Sequence, residues 1–322
     1  MLVLLAALFF IGRFAPPALL APSRTDGPAL ILFKPVVLDS RNPARTKLGA
    51  LTYLGGWSLD SPNRGFGGIS AIHVDKRSVV ALSDAGALIR FSLPKGTSVR
   101  GSIAPLPVGL DMPVAKRDRD TESMVLFGGH AWIGFEWRGA IRRYVTGSGS
   151  AGWRSDADHA PAAMRKWPNN SGAEGIVRLK DGRFLVFSEG AMRKDGTSEV
   201  LEFDGDPAVA GTSAHSLGYR APPGYRLTDA AVLPDGRLLL LNRRFSMLEG
   251  VAAKLVVARP PRPGGAAIIA GDELADFESV TVDNMEALSV TREAGRTIVW
   301  IASDDNFSPL QRTLLLKFAL DQ

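Results

Sequence analysis

Cysteine is absent from all 322 residues of the sequence. This absence excludes disulfide bonds, thiolate metal sites and a cysteine nucleophile together. A chain of this length buries enough apolar surface to fold without covalent cross-links. A chain without cysteine also suits an oxidising compartment, where a free thiol would be exposed to oxidation.

Three further patterns are missing. The four histidines are widely scattered and lack metal-ligand spacing, which argues against a zinc site. No Gly-x-Ser-x-Gly motif occurs, which argues against a conventional serine hydrolase. The net charge of +5 is not gathered into a basic stripe, because the densest charged run, residues 116–120, alternates in sign. Nucleic-acid binding requires such a stripe, so we expect no nucleic-acid partner.

The sequence also lacks a hydrophobic run long enough to span a membrane. Residues 1–11 carry no charge, but a spanning helix needs about twenty apolar residues. Small residues follow at 18–23, as in an export signal, although no lysine or arginine precedes the apolar run. We expect residues 1–23 to be an export signal or an uncleaved N-terminal membrane anchor; a buried first strand or helix is the alternative. Both export readings place the rest of the chain in the periplasm or outside the cell.

Strand signals dominate the remaining chain. Short runs rich in Val, Ile, Leu and Phe are separated by Asp-Gly, Gly-Gly and proline-containing turns. No long stretch carries the 3.6-residue apolar period of an amphipathic helix, and only residues 161–167 are compatible with one short helix. The sequence therefore predicts an all-β fold, preceded by a lead-in segment at residues 24–46.

Five segments repeat one pattern: a polar residue, a short apolar strand, a turn, a second apolar strand and a polar cluster. The polar residues that mark the repeats are Ser70, Glu122, Glu174, Asp229 and Glu286, spaced 52, 52, 55 and 57 residues apart. This spacing matches one four-stranded propeller blade per repeat, whereas a β-sandwich does not explain it.

We therefore predict a single β-propeller domain over residues 47–322. The five repeats predict five blades. Six blades are the alternative if residues 29–59 and 93–121 contain a degenerate blade. The last repeat shows about three strands before the chain ends. Residues 49–59 supply the missing one in this interpretation, so that an N-terminal strand closes the ring.

The marked residues are expected to form a ring at one mouth of the central channel, because innermost strands line that channel. A second polar group ends the second strand of each repeat: Asp84, Glu136, Glu189, Arg243, Asp304 and Asp305. Four carboxylates at equivalent positions repel one another in a confined channel. A bound cation relieves this repulsion, and calcium suits a ring of carboxylate oxygens.

Arginine side chains are a second way to relieve the repulsion among the ring carboxylates. Arg243 and Arg138 either pair with the ring or hold an anionic substrate by bidentate contacts. A purely structural ring is the remaining alternative, in which the acids accept backbone N–H bonds that hold adjacent loops.

Several short motifs resemble a known family in their order and spacing. Residues 67–70 with 81–86, 173–176 with 188–189, and 285–288 with 303–306 are similar to the bacterial phytase-like β-propellers, which are described as having esterase-like activity. The resemblance covers roughly residues 48–320. The family is largely exported and is similar in architecture to calcium-dependent propeller phytases.

The resemblance implies metal-assisted hydrolysis of a phosphoester or carboxylic ester at the channel mouth, with calcium as the cofactor and a small anionic or ester substrate. It implies that Glu122, Glu174 and Glu286 are metal ligands or the catalytic base and that Asp229 is a fourth metal ligand. The substrate-binding residues of this interpretation are Arg243, Ser70, Asp84 and Asp304. We expect a monomer. The competing hypothesis is a non-catalytic periplasmic propeller that binds a ligand or a partner protein.

Overall fold

A computed structural model describes residues 27–107, 118–147, 152–168, 172–246, 250–263 and 268–321. The predicted signal or anchor at residues 1–23 lies outside these ranges. Within them there is no α-helix, and the short helix expected at 161–167 is a single 3₁₀ turn, Met164–Lys166. No helix of the described ranges is long and apolar enough to cross a membrane.

Strands build the fold. In chain order they are β1 (Gly27–Pro35), β2 (Lys47–Leu48), β3 (Leu51–Asp60), β4 (Ile69–Asp75), β5 (Ser78–Ser83), β6 (Ala87–Ser92), β7 (Ser98–Pro105), β8 (Thr121–Phe127), β9 (His130–Phe135), β10 (Ala140–Val145), β11 (Arg154–His159), β12 (Ala173–Arg178), β13 (Phe184–Met192), β14 (Ser198–Phe203), β15 (Ala214–Tyr219), β16 (Arg226–Val232), β17 (Leu238–Ser246), β18 (Gly250–Ala258), β19 (Ile268–Ile269), β20 (Gly271–Asp276), β21 (Met285–Glu293), β22 (Arg296–Ser303) and β23 (Thr313–Leu320).

Antiparallel pairing joins twenty of the twenty-three described strands into five four-stranded units, while β2 pairs with β3 and β19 pairs in parallel with β15. The units are β4-β5-β6-β7, β8-β9-β10-β11, β12-β13-β14-β15, β16-β17-β18-β20 and β21-β22-β23-β3. The first strands of the units contact one another in cyclic order, and β21 of the last unit meets β4 of the first. The chain is therefore a β-propeller, as the repeat predicts.

The N-terminal strand closes the ring as predicted. β3 pairs with β23 along its length and so becomes the fourth strand of the last unit. Residues 108–117, which belong to one of the two stretches considered for a sixth blade, lie outside the described ranges. The total of five blades therefore stays a prediction, although the described strands account for five units.

β1 joins the outer edges of the first and last units, because it pairs with β7 on one side and with β3 on the other. Its side chains alternate between buried and exposed, as a strand with one covered face requires. The Phe33 ring is buried and packs edge-on against two other rings. Its centroid lies 6.0 Å from that of Trp57 in β3 and 5.9 Å from that of Phe91 in β6. One aromatic ring thus packs against both units at the seam of the propeller.

We expect Phe33→Ala to lower the free energy of unfolding by about 3–5 kcal/mol, because it leaves a cavity where the two units meet. Denaturant unfolding of the purified chain measures the change. Leu32→Ala on the exposed face of the same strand is the matched control, with an expected change of about 0.5 kcal/mol. Equal losses in the two variants would show that the seam does not limit stability.

Candidate functional site

A bulge opens the innermost strand of every unit. At each of these places the register against the second strand shifts by one, so that one residue of the innermost strand has no partner opposite it. The unpaired residues are Ser70, Glu122, Glu174, Thr228 and Glu286. Such bulges end regular pairing and redirect a side chain, and they are common beside functional sites. Four of the five marked residues from the sequence therefore occupy equivalent positions.

Asp229 does not occupy the equivalent position that the sequence predicts. In the fourth unit Leu227 pairs with Asn242 and Asp229 pairs with Leu241, so the bulged residue is Thr228. The Asp229 carboxylate is buried and accepts the Ala230 N–H at 2.7 Å and the Leu288 N–H at 2.6 Å. Since Leu288 lies on β21, this carboxylate ties the fourth unit to the fifth. For Asp229, this geometry fits the alternative in which the acid has a purely structural role and accepts backbone N–H bonds.

The residues that end the second strands lie beside the bulges. In three units such a residue donates its backbone N–H to the carbonyl two positions before the bulge. The pairs, donor first, are Asp84 and Gly68 at 2.9 Å, Glu136 and Asp120 at 3.0 Å, and Asp304 and Asn284 at 2.9 Å. Each of these three units thereby presents two side chains at the same end of the channel, one from the bulge and one from the second strand.

Carboxylates from several units act on one another electrostatically. Burial raises the pKa of Glu122 well above its usual range, and Glu174 and Asp120 raise it further. The pKa of Glu174 is raised by burial first and then by Glu189, Glu136 and Glu286. These groups therefore share one desolvated and repulsive environment, which disfavours their charged forms.

The same environment extends to the last unit. Burial and the neighbouring Asp84 and Glu286 raise the pKa of Asp304 well above its usual range. Burial also raises the pKa of Asp229, although its two backbone N–H partners favour the charged form. Acids from several units are thus crowded at this end of the channel, and the crowding disfavours their charged forms.

Arg243 is the guanidinium that lies among these acids. Its Nη1 is 2.7 Å from Glu286 Oε1 and its Nη2 is 3.3 Å from Glu189 Oε1, and it also donates to Asn284 Oδ1. Burial nevertheless raises the pKa of Glu286 to about 7, because the nearby Arg243 offsets desolvation only in part. Of the sequence's two arginine candidates, Arg243 pairs with the ring, and Arg138 lies 4.0 Å from Asp118.

Three acids of the second unit can hold a metal ion. Asp120, Glu122 and Glu136 each offer one carboxylate oxygen, and these oxygens lie within 4.8 Å of one another. An all-oxygen donor set of this kind fits calcium, which accepts variable coordination by carboxylates. Asp120 is not among the ligands predicted from the sequence; its signal is its place two residues before the bulged Glu122.

Ser70 provides a second indication of a ligand. Its side chain is buried at the bulge of the first unit, yet its hydroxyl oxygen has no hydrogen-bond partner. Buried hydroxyls are rarely left unpaired, so such an oxygen points to a water or a ligand. The bulge ring thus combines crowded carboxylates with one buried hydroxyl that has no hydrogen-bond partner among the described residues.

Comparison with known proteins agrees with the fold. A family model described as phytase-like, esterase-like activity of phytase, matches residues 64–307. No curated protein sequence matches the chain. The fold is similar to that of an endo-arabinase from Bacteroides thetaiotaomicron VPI-5482, with a TM-score of 0.52 and 13% identity over 79% of this chain and 94% of that chain.

Two further solved structures are less similar. An exo-1,5-alpha-L-arabinanase from a bovine ruminal metagenomic library has a TM-score of 0.48 and 12% identity, and covers 77% of this chain and 91% of that chain. The glutaminyl cyclase of Myxococcus xanthus has a TM-score of 0.46 and 10% identity, and the match covers 80% of this chain and 92% of that chain.

We expect Asp229→Asn to lower the free energy of unfolding by about 1–3 kcal/mol in the presence of a chelator, because the amide NH₂ would face a backbone N–H. Glu122→Gln is the matched comparison within the ring. It removes a half-buried carboxylate from a repulsive cluster, so the chelated protein should be equally stable or more stable. If Asp229→Asn instead leaves unfolding unchanged and weakens calcium binding, Asp229 is a metal ligand after all.

Proposed function

The chain belongs to the phytase-like family, and from this membership we propose that it hydrolyses phosphate or carboxylic esters at the acidic mouth of its channel, assisted by a divalent cation. The observation that carries the proposal is the convergence of Glu174, Glu189, Glu286 and Asp304 around the Arg243 guanidinium, with Glu122 acting on the neighbouring Glu174. A purely structural role for so many acids would not require them to meet at one point.

Calcium is the cation that we propose. Asp120, Glu122 and Glu136 would hold it, since their oxygens already lie close together and no nitrogen or sulfur donor is among them. A bound divalent cation supplies charge neutralisation for an anionic substrate and lowers the pKa of water. Its binding would also offset the repulsion that raises the pKa values of the ring acids.

Glu286 and Glu174 are the proposed proton carriers. A general acid or base works best when its pKa lies near the pH of the reaction, and the pKa of Glu286 is about 7. The raised pKa of Glu174 favours its protonated form, which suits a carboxyl that gives a proton to a leaving group. Both residues sit at bulges, so their backbone positions are fixed by the adjoining strands.

The remaining residues would bind and orient substrate. Arg243 places one positive charge among the acids, where it meets an anionic group that enters the mouth. The unpaired Ser70 hydroxyl is available as a hydrogen-bond donor to a phosphoryl or carbonyl oxygen. Asp84 and Asp304 lie beside Glu286 and complete the acidic wall of the first and last units.

We expect calcium to raise the melting temperature of the purified chain, because a ligand held only by the folded state stabilises that state. The calcium-loaded chain should turn over p-nitrophenyl phosphate or p-nitrophenyl acetate. Glu174→Gln should lower that turnover at least about a hundredfold.

Glu293→Gln is the control for this experiment, since Glu293 pairs with Lys317 on another part of the last unit. Its turnover should equal that of the unaltered chain. Absence of turnover of either ester with every divalent cation tried would refute the hydrolase. A propeller that binds a ligand or a partner protein without catalysis would then be the better explanation.

We also propose that the chain works outside the cytoplasm. The uncharged run at residues 1–11 and the absence of cysteine support export. Full-length chain expressed in a Gram-negative bacterium should fractionate with the periplasm or the membrane, and deletion of residues 1–11 should leave it in the cytosol. Recovery of the full-length chain in the cytosol would contradict this.

A further inference from the structure

The loop that follows Asp304 has an unusual backbone. Asn306 and Phe307 are consecutive residues with φ of 49° and 50°. This left-handed region is unfavourable for residues other than glycine, and for a bulky side chain such as phenylalanine it is rare. A conformation of this kind persists only where surrounding contacts enforce it, and it occurs preferentially at functional sites.

Side chains of the same loop enforce it. Asp304 Oδ1 accepts the Asn306 N–H at 2.6 Å, and Asp305 Oδ1 accepts the Phe307 N–H at 3.0 Å. Asp305 also reaches the first unit, where it accepts the Gly68 N–H at 2.8 Å. Thr313 donates to the other Asp305 oxygen at 2.9 Å. Two adjacent acids thus hold both strained residues and dock the loop on the neighbouring unit.

The loop places the Phe307 ring beside the acidic mouth. Gly68 has a φ of 62°, and a Cβ atom at this position would lie 2.4 Å from Phe307 Cε2 and 2.4 Å from Asp84 Oδ1. Only glycine leaves room there, so the ring edge and the Asp84 carboxylate approach each other over its backbone. The electropositive edge of the ring can face the carboxylate, and the ring is only half-buried, so part of its apolar surface stays open to a molecule that enters the mouth.

Exposed apolar side chains recur at the same end of the propeller. Each lies at or beyond the end of a second strand, as Phe307 does: Trp137 (46% exposed), Met192 (64%), Phe245 (61%) and Leu310 (75%). Single exposed apolar residues are ordinary on protein surfaces. Their repetition on four of the five units, around a centre of opposite character, indicates that molecules bound here carry apolar surface.

From these contacts we propose that Phe307 determines specificity, by packing against an aryl or alkyl group of the ester while the acidic mouth holds its anionic or carbonyl end. The preferred substrate class is therefore an ester or phosphoester with an apolar substituent, rather than a phosphate of a polar polyol. This inference rests on the proposed function, since it assigns a substrate class to the same mouth.

Binding of two phosphonates to the full-length, calcium-loaded chain tests the inference without requiring turnover. Phenylphosphonate should bind about tenfold more tightly than methylphosphonate in calorimetry, because only the phenyl group reaches the Phe307 ring. Phe307→Gly should reduce this preference to about twofold or less. Phe127→Ala, an exposed ring at the opposite end of β8, should leave it unchanged.

Asn306→Gly is the second matched control. Both glycine variants relieve a left-handed backbone, so each should melt at or slightly above the temperature of the unaltered chain. Only Phe307→Gly removes the ring, so only this variant should lose the phenyl preference. Loss of the preference in a chain that is at least as stable cannot come from unfolding.

Four outcomes would overturn the inference. Equal affinity for the two phosphonates, or an unchanged preference in Phe307→Gly, refutes the role of Phe307 while leaving a working anion site. Failure of both phosphonates to bind in calcium refutes the proposed function as well. Retention on anionic phospholipid vesicles that is lost in Trp137→Ala, with no phenyl preference, assigns the apolar residues to a lipid surface instead.

Discussion

Repulsion among desolvated carboxylates at the channel mouth is the constraint on which the rest of the structure depends. Closure of the ring brings Glu122, Glu174 and Glu286 within reach of one another, and burial makes their charged forms costly. The fold therefore has to hold the units together against this repulsion. The Asp229 bonds between the fourth and fifth units and the β1 strand at the seam both do so.

The fold was predictable because a propeller repeats one unit. Each repeat has the same order of strand, turn and polar cluster in its sequence. The spacing of the polar marker residues alone therefore indicates the number and order of the repeats. The closing strand was also predictable, since the last repeat lacks one. β1 was not, because a lead-in segment with prolines gives no sign that both of its edges will find partners.

The positions of the five bulges were predictable to within one residue. Acid-to-acid alignment selects Asp229, whereas backbone pairing puts Thr228 at the bulge. A bulge adds a residue to one strand without changing residue types, so it is invisible to an alignment by chemistry. Phe307 was missed for a related reason: its place beside Asp84 depends on a left-handed backbone and on Gly68, at the other end of the chain.

Pairing of β3 with β23 has a consequence for how the chain folds. Trp57 lies opposite Leu315, so the last unit cannot be completed until almost the whole chain is available. Until then β3 and β1 present open strand edges, which readily pair with other chains. Contacts between such distant residues form slowly. We therefore expect completion of the first and last units to be the slow step of folding. Aggregation would compete with folding during the interval before the ring of units closes.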